Sequence, residues 1–242
     1  MKDNGLLVQY FNANTPADQT LWAKAAKDAA TLKKLGATAV WFPPATKGAA
    51  GKDDRGYAPY DLYDLGEFNQ KGSVGTRYGT KKEYLEAIDA MKAQGINVYA
   101  DIAVRQKLGA DSVEKVTAAD FNAKDIPQMI GNKKIVGALS KFTFPGRKSK
   151  YSKFKWNWNH FAGIDWQQDD FKRRVCELSG MTEMEAEKKY KLSKYDYIIG
   201  SELDLYNQEV YDELMAWAKW YENVTGVDGF RFQEAEKIPG WF

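Results

Sequence analysis

"GFRFQEAEK", Gly229 to Lys237, decides how this chain is read. Apolar and other residues alternate as far as Phe232, an arginine sits inside the run, and a polar cluster opens at Gln233. Short apolar alternation that breaks into a polar cluster is the pattern of a strand feeding a loop. In α/β folds, the loops after the strands are where binding and catalytic groups collect. An amide in the first loop position is chemically pointed, because glutamine neither ionises nor attacks carbon as a carboxylate does. The strand end has a catalytic pattern and no nucleophile at its head.

The same strand-and-helix rhythm fills the first hundred residues. "LLVQYF" (Leu6–Phe11) reads as a strand, followed by a helix over about Thr20–Leu35 that Gly36 stops. "TAVWF" (Thr38–Phe42) is a second strand, ended by Pro43 and Pro44. A helix over about Lys81–Gln94, stopped by Gly95, leads into a third strand, "INVYADIAV" (Ile96–Val104). A helix over about Gln208–Thr225 precedes the fourth strand, "VDGFRF" (Val227–Phe232). Nearly continuous apolar strands alternating with helices indicate a parallel sheet. Four such units make half of a closed (β/α)₈ barrel, which needs eight. Between Lys107 and Ser201 the rhythm breaks into an irregular, aromatic-rich stretch containing "KFKWNWNHF" (Lys153–Phe161) and a short charged helix over Met181–Leu192. Structureless loops of that length are uncommon, so it reads as an inserted domain. The expected division is 1–106 for the first part of the barrel, 107–201 for the insertion and 202–242 for the return.

Composition narrows the functional classes. Lys+Arg 35 against Asp+Glu 33 leaves a net charge of +2, which argues against nucleic acid as a partner. No apolar run approaches the roughly 20 residues that span a bilayer. "MKDNGLLVQY" carries no signal-peptide core, so a cytoplasmic location is expected. One cysteine, Cys176, excludes an intrachain disulfide, and one histidine, His160, excludes a Cys/His zinc site. Eight Trp and fourteen Tyr fit either a core with amphipathic rims or a cleft in which rings stack on sugars.

"AVWFPPATKG" (Ala39–Gly48), "GYAPYDLYDLGEF" (Gly56–Phe68), "KGSVGTRYGTKKEY" (Lys71–Tyr84), "FPGRKSKYSKFKWNWNHFAGIDW" (Phe144–Trp166) and "VDGFR" (Val227–Arg231) together resemble the α-amylases of glycoside hydrolase family 13, the bacterial liquefying and intracellular type above all. The resemblance implies a (β/α)₈ TIM barrel with a domain B inserted after strand three. It also implies retaining hydrolysis of α-1,4-glucans and a calcium ion between domain B and the barrel. In its terms Gln233 stands at the nucleophile's position, and the remaining two catalytic carboxylates belong to strands five and seven, outside the four strands read here. Retaining hydrolysis needs a pair of carboxyl groups. Tyr57 matches the tyrosine that stacks on the sugar, and Arg231 the arginine that orients the nucleophile. "DIAVRQ" begins with the family's aspartate, Asp101, but puts Arg105 at a calcium ligand and Gln106 at a substrate-contacting histidine. In "SELDLYN", Glu202 replaces a calcium-binding aspartate, Asp204 is kept and Tyr206 replaces the last aspartate. Glu236 takes a substrate lysine's place, Lys237 that of a histidine whose carbonyl binds calcium, and Asp165 matches a further ligand.

The substrate-binding set is therefore Tyr57, Gln106, Arg231 and Glu236, and the degenerate calcium set is Arg105, Asp165, Glu202, Asp204 and Lys237, with no metal expected. The Arg105 guanidinium is expected to pair with Glu202, Asp204 or both, substituting an ion pair for the ion. The expected function is that of a catalytically inactive, α-amylase-like half barrel, degenerate or engineered, that self-associates or binds α-glucan weakly. The alternative is a split hydrolase completed by a complementary chain. A third reading uses relocated carboxylates such as Glu234 or Glu236, which lie off the position the nucleophile must occupy. His160 reads as structural, Trp156 and Trp158 as packing from one strand face, and Glu183–Lys191 as a solvated helix face.

Overall fold

A computed structural model of the chain describes residues 4–122, 128–169, 172–178, 200–233, 235, 238 and 240. They fall into two compact units. The first comprises Met1–Val104, Pro145–Ser152 and Ala216–Gln233, and the second Arg105–Phe144, Lys153–Met215 and Glu234–Phe242.

The first unit opens with β1 (Leu7–Gln9), α1 (Leu21–Lys34) and β2 (Ala39–Phe42). In α1 the buried residues Trp22, Ala25 and Ala29 recur at helical spacing, Lys33 and Lys34 sit at the negative end of the helix dipole, and Gly36 ends the run at φ +91°. A short antiparallel pair, β3 (Lys47–Gly48) and β4 (Pro59–Asp61), precedes α2 (Lys81–Ala93). Thr80 and Glu83 close a reciprocal capping box on α2, whose buried stripe is Tyr84, Ala87, Ile88 and Met91. β5 (Asn97–Ile102) completes this half.

The second unit holds β6 (Gln106–Lys107), β7 (Ser112–Asn122), β8 (Gln128–Lys141), β9 (Phe161–Gln167), β10 (Lys172–Glu177) and β11 (Ser201–Leu203). They form one six-stranded sheet in the order β6-β11-β9-β10-β7-β8. This corrects the reading of 107–201 as irregular. β7 and β8 pair antiparallel as a long ladder, in which Val116, Ala118 and Ala119 of β7 and Val136, Gly137 and Ala138 of β8 are buried. Small residues buried in succession leave only a faint period-two signal. Trp156 and Trp158 do not share a strand face either. Trp156 is buried and makes an isolated bridge to Phe142, whereas Trp158 is exposed and begins a 3₁₀ turn, Trp158–His160. The expected helix over 181–192 and the charged run 183–191 lie outside the described residues.

α3 (Gln208–Thr225) and β12 (Gly229–Phe232) follow, and β12 returns to the first unit. There β1, β2, β5 and β12 lie side by side, all parallel, with Phe42 level with Ala100 and Phe230. The face carrying Val40, Phe42, Val98 and Ala100 is buried, with Trp22 and Tyr84 against Phe42 and Tyr221 against Phe230. The opposite face carries Leu7, Gln9, Trp41, Tyr99, Asp101 and Arg231, and Leu7 remains 56% exposed. Among the described residues this sheet is open, with β1 and β12 as its edges and no closed barrel.

Two buried cations, Lys47 and Arg147, anchor the loops of the first unit. Lys47 is fully buried, and its Nζ donates to the carbonyls of Val74 (2.6 Å), Ser73 (2.8 Å), Gly75 (3.3 Å) and Phe68 (3.4 Å), with Asp64 Oδ2 at 3.7 Å. Burial pushes the Lys47 ammonium's pKa down and the Asp64 carboxyl's up, and their mutual attraction opposes both shifts. Arg147 donates through Nε to Asp61 (2.8 Å) and through Nη1 to the carbonyls of Lys150 (2.6 Å) and Ser152 (2.7 Å). Gln70 links the two, donating at 3.0 Å to Asp61 and to Asp64. In the second unit Lys107, also buried, lies 5.0 Å from the centre of the Trp156 ring and 5.5 Å from those of Phe142 and Phe144.

Candidate functional site

The C-terminal ends of β5 and β12 bring three of the sequence-derived residues together. Asp101, one residue before the end of β5, is fully buried and level with Arg231 across the ladder. Its Oδ1 accepts from Arg231 Nη1 at 3.2 Å, and its Oδ2 from the Tyr57 hydroxyl at 2.7 Å. Burial, then the bond to Asp101 and its charge, push the Tyr57 hydroxyl's pKa well above its ordinary value, so it stays a donor. The Arg231 guanidinium lies 4.7 Å from the centre of the Trp41 ring, which meets Phe11 edge-on at 5.3 Å. Gln233 extends the ladder one residue past β12, its N–H donating to the Ile102 carbonyl at 3.1 Å. Trp41 was not picked out from the sequence as a site residue; its place in register with Tyr99, beside Asp101, is a product of strand pairing.

Charge at this strand end is balanced. Asp101 is held by a cation and a phenol, and Gln233, one residue past β12, carries an amide. Donors, acceptors and an aromatic surface are present for hydroxyl-rich ligands. An ionised carboxylate at position 233 is not.

The remaining predicted residues fall in the second unit. Arg105 Nη1 lies 3.2 Å from Glu202 Oε1, with side chains only 6% and 18% exposed, and Leu203 N–H donates to the Arg105 carbonyl at 2.8 Å. Gln106 is level with Glu202 in the β6–β11 pair. Asp204 Oδ1 accepts from the Tyr206 N–H at 3.1 Å, while its own N–H donates to the His160 carbonyl at 2.9 Å. Asp165 lies apart, lining a cavity of about 130 Å³ with Ile164, Trp166 and Ser201. Glu234, Glu236 and Lys237 lie outside the described residues. A fixed guanidinium beside Glu202 does not fit a divalent cation, which wants several converging oxygens. Among the described residues no group of three His, Cys, Asp or Glu side chains is placed to hold a metal.

No family model matches the chain. It is 46% identical over 244 residues to an α-amylase of Geobacillus stearothermophilus, covering 98% of this chain and 44% of that protein. It is 37% identical over 243 residues to the cytoplasmic α-amylase of Escherichia coli, covering 99% of this chain and 49% of that one. Among solved structures, an Anoxybacillus α-amylase superposes with a TM-score of 0.51 at 17% identity, over 98% of this chain and 41% of the other, a likeness of fold alone. The chain thus spans just under half the length of the curated relatives it matches. Along almost all of its own length, and along that part of theirs, it is homologous to the α-amylases of glycoside hydrolase family 13.

Proposed function

We propose that this chain binds α-glucan through the strand ends of its parallel sheet and does not hydrolyse it. The single observation that carries the reading is that Gln233, one residue past the end of β12, brings an amide to a strand end where the Asp101 carboxylate is already engaged by Arg231 and Tyr57. A retaining hydrolase attacks from a free carboxylate, and an amide forms no glycosyl ester. Tyr57, Trp41 and Arg231 supply ring faces and donors for sugar. Titrating the chain with maltohexaose in a calorimeter is expected to give measurable binding that Tyr57→Ala weakens about fivefold, the loss of roughly 1 kcal/mol of ring contact. A chromogenic maltooligosaccharide is expected to release nothing. Steady turnover would overturn the proposal, and so would binding indifferent to Tyr57.

The architecture that goes with this reading is a partial (β/α)₈ barrel, with 1–106 and 202–242 contributing its strands and 107–201 as an inserted domain B. Calcium has no part in it, since the Arg105–Glu202 ion pair takes over the ion's structural role. Adding calcium or a chelator is then expected to leave Tm unchanged. A calcium-dependent rise of several degrees would refute that substitution.

One observation favours a partner as well. Among the described residues the parallel sheet has two open edges and a face bearing exposed Leu7, whereas parallel sheets are ordinarily covered on both sides. A second copy of the chain covering that face is the reading we favour, and a complementary chain that completes a hydrolase is the other. Light scattering on the purified chain is expected to report a dimer that Leu7→Lys dissociates. A monomer at all concentrations would exclude self-association.

A further inference from the structure

We infer that the second unit carries a glucan subsite of its own, at the depression where residues 154–160 meet the first turns of α3. The inference rests on the glucan-binding reading above and concerns different residues. The depression has a volume of about 450 Å³, within the range of small-molecule sites. Its floor is the half-buried ring of Phe154, which packs against the buried imidazole of His160 with centroids 4.8 Å apart and planes tilted by 45°. The imidazole is locked in place. His160 Nδ1 accepts the Asn157 N–H at 3.0 Å, so the ring proton is carried on Nε2, which faces Glu209 Oε2 at 2.9 Å. The wall is one face of α3, where Glu209, Asp212 and Glu213 follow one another at i, i+3 and i+4.

Each part has a counterpart in a sugar. A pyranose offers a C–H face to an aromatic surface and a rim of hydroxyls that donate to carboxylates. Helix-dipole stabilisation accounts for acidic residues in a first turn, but not for a ring floor and a concave shape in front of them. A metal ion is the weaker fit. Asp212 already accepts from Gln208 at 2.8 Å and Glu209 faces His160, so these carboxylates are separately engaged and do not converge on one point. Spaced acceptors suit separate hydroxyls.

The test is a maltotriose titration of the full chain followed by calorimetry and by NMR shifts, with thermal melts confirming that each variant is folded. Wild type is expected to bind two maltotriose molecules. Phe154→Leu and Glu213→Gln should each weaken one of them about tenfold and leave the other intact, while Tyr57→Ala does the reverse. One site, lost with Tyr57 and indifferent to Phe154 and Glu213, overturns this inference and keeps the strand-end reading. One site lost with Phe154 or Glu213 and indifferent to Tyr57 keeps the inference and overturns the strand-end reading. No maltotriose binding, or calcium binding in its place at Glu209 and Glu213, overturns the inference outright.

Discussion

Lys47→Met is expected to destabilise the chain by roughly 3–5 kcal/mol, the usual cost of removing one partner from a buried ion pair. The lysine is fully inside the first unit and its ammonium donates to four backbone carbonyls of one loop, with the buried Asp64 behind them. Methionine fills much the same volume and donates nothing. The carbonyls of Ser73, Val74 and Gly75 would lose their shared donor, and Asp64 its nearest cation. An unsatisfied buried acceptor costs about 1–3 kcal/mol, so the loss concentrates on the loop that leads into the Thr80 cap of α2. Urea melts read this as a lowered midpoint with an unchanged slope. A change within about 0.5 kcal/mol, the range of surface substitutions, would contradict the cage.

Arg147→Met is expected to cost about as much, roughly 3–5 kcal/mol, for a related reason. Arg147 and Asp61 are each only 1% exposed at the side chain, and the guanidinium holds two carbonyls while it pairs with the carboxylate. Arg147→Lys is expected to recover little, because a single ammonium cannot reproduce the fork geometry. The double variant Asp61→Asn, Arg147→Met should lose clearly less than the sum of the singles, since the second change removes the carboxylate that the first leaves stranded. Strict additivity would place the two residues in separate networks.

The helices were legible from the sequence because their signals are local. Gly36 and Gly95 stop α1 and α2, and the stripe Tyr84, Ala87, Ile88, Met91 shows the helical period without any tertiary knowledge. The four parallel strands were also readable, only longer than they are. Leu6–Phe11 shrinks to Leu7–Gln9, and Ile96–Val104 to Asn97–Ile102, because a strand ends where its neighbour ends, not where apolar residues stop. The β7–β8 ladder was missed because its buried face is mostly alanine and valine beside glycine, weak marks of a strand.

At the candidate site, Gln233 and the opposite charges of Arg105 and Glu202 could be singled out by comparing residue types at matched motifs. The Trp41 ring beneath Arg231 could not, since the two meet only through a register spanning β2, β5 and β12. Lys47 and Arg147 were hidden for a deeper reason. A lone charge in a sequence reads as solvent-facing. Only a partner far along the chain, 86 residues away for Arg147 and Asp61, makes its burial tolerable.

The aromatic enclosure of Lys107 and the carbonyl cage of Lys47 bear on how opening of this chain can be watched. Both amines are shielded, one in each unit, while Lys24, Lys82 and Lys115 stand well out in water. An amine-acylating reagent reaches the outer lysines at once and these two only through molecules that have come apart. The rates at which Lys47 and Lys107 acquire label are thus separate clocks for the two units, and their ratio tells whether the units open together or singly.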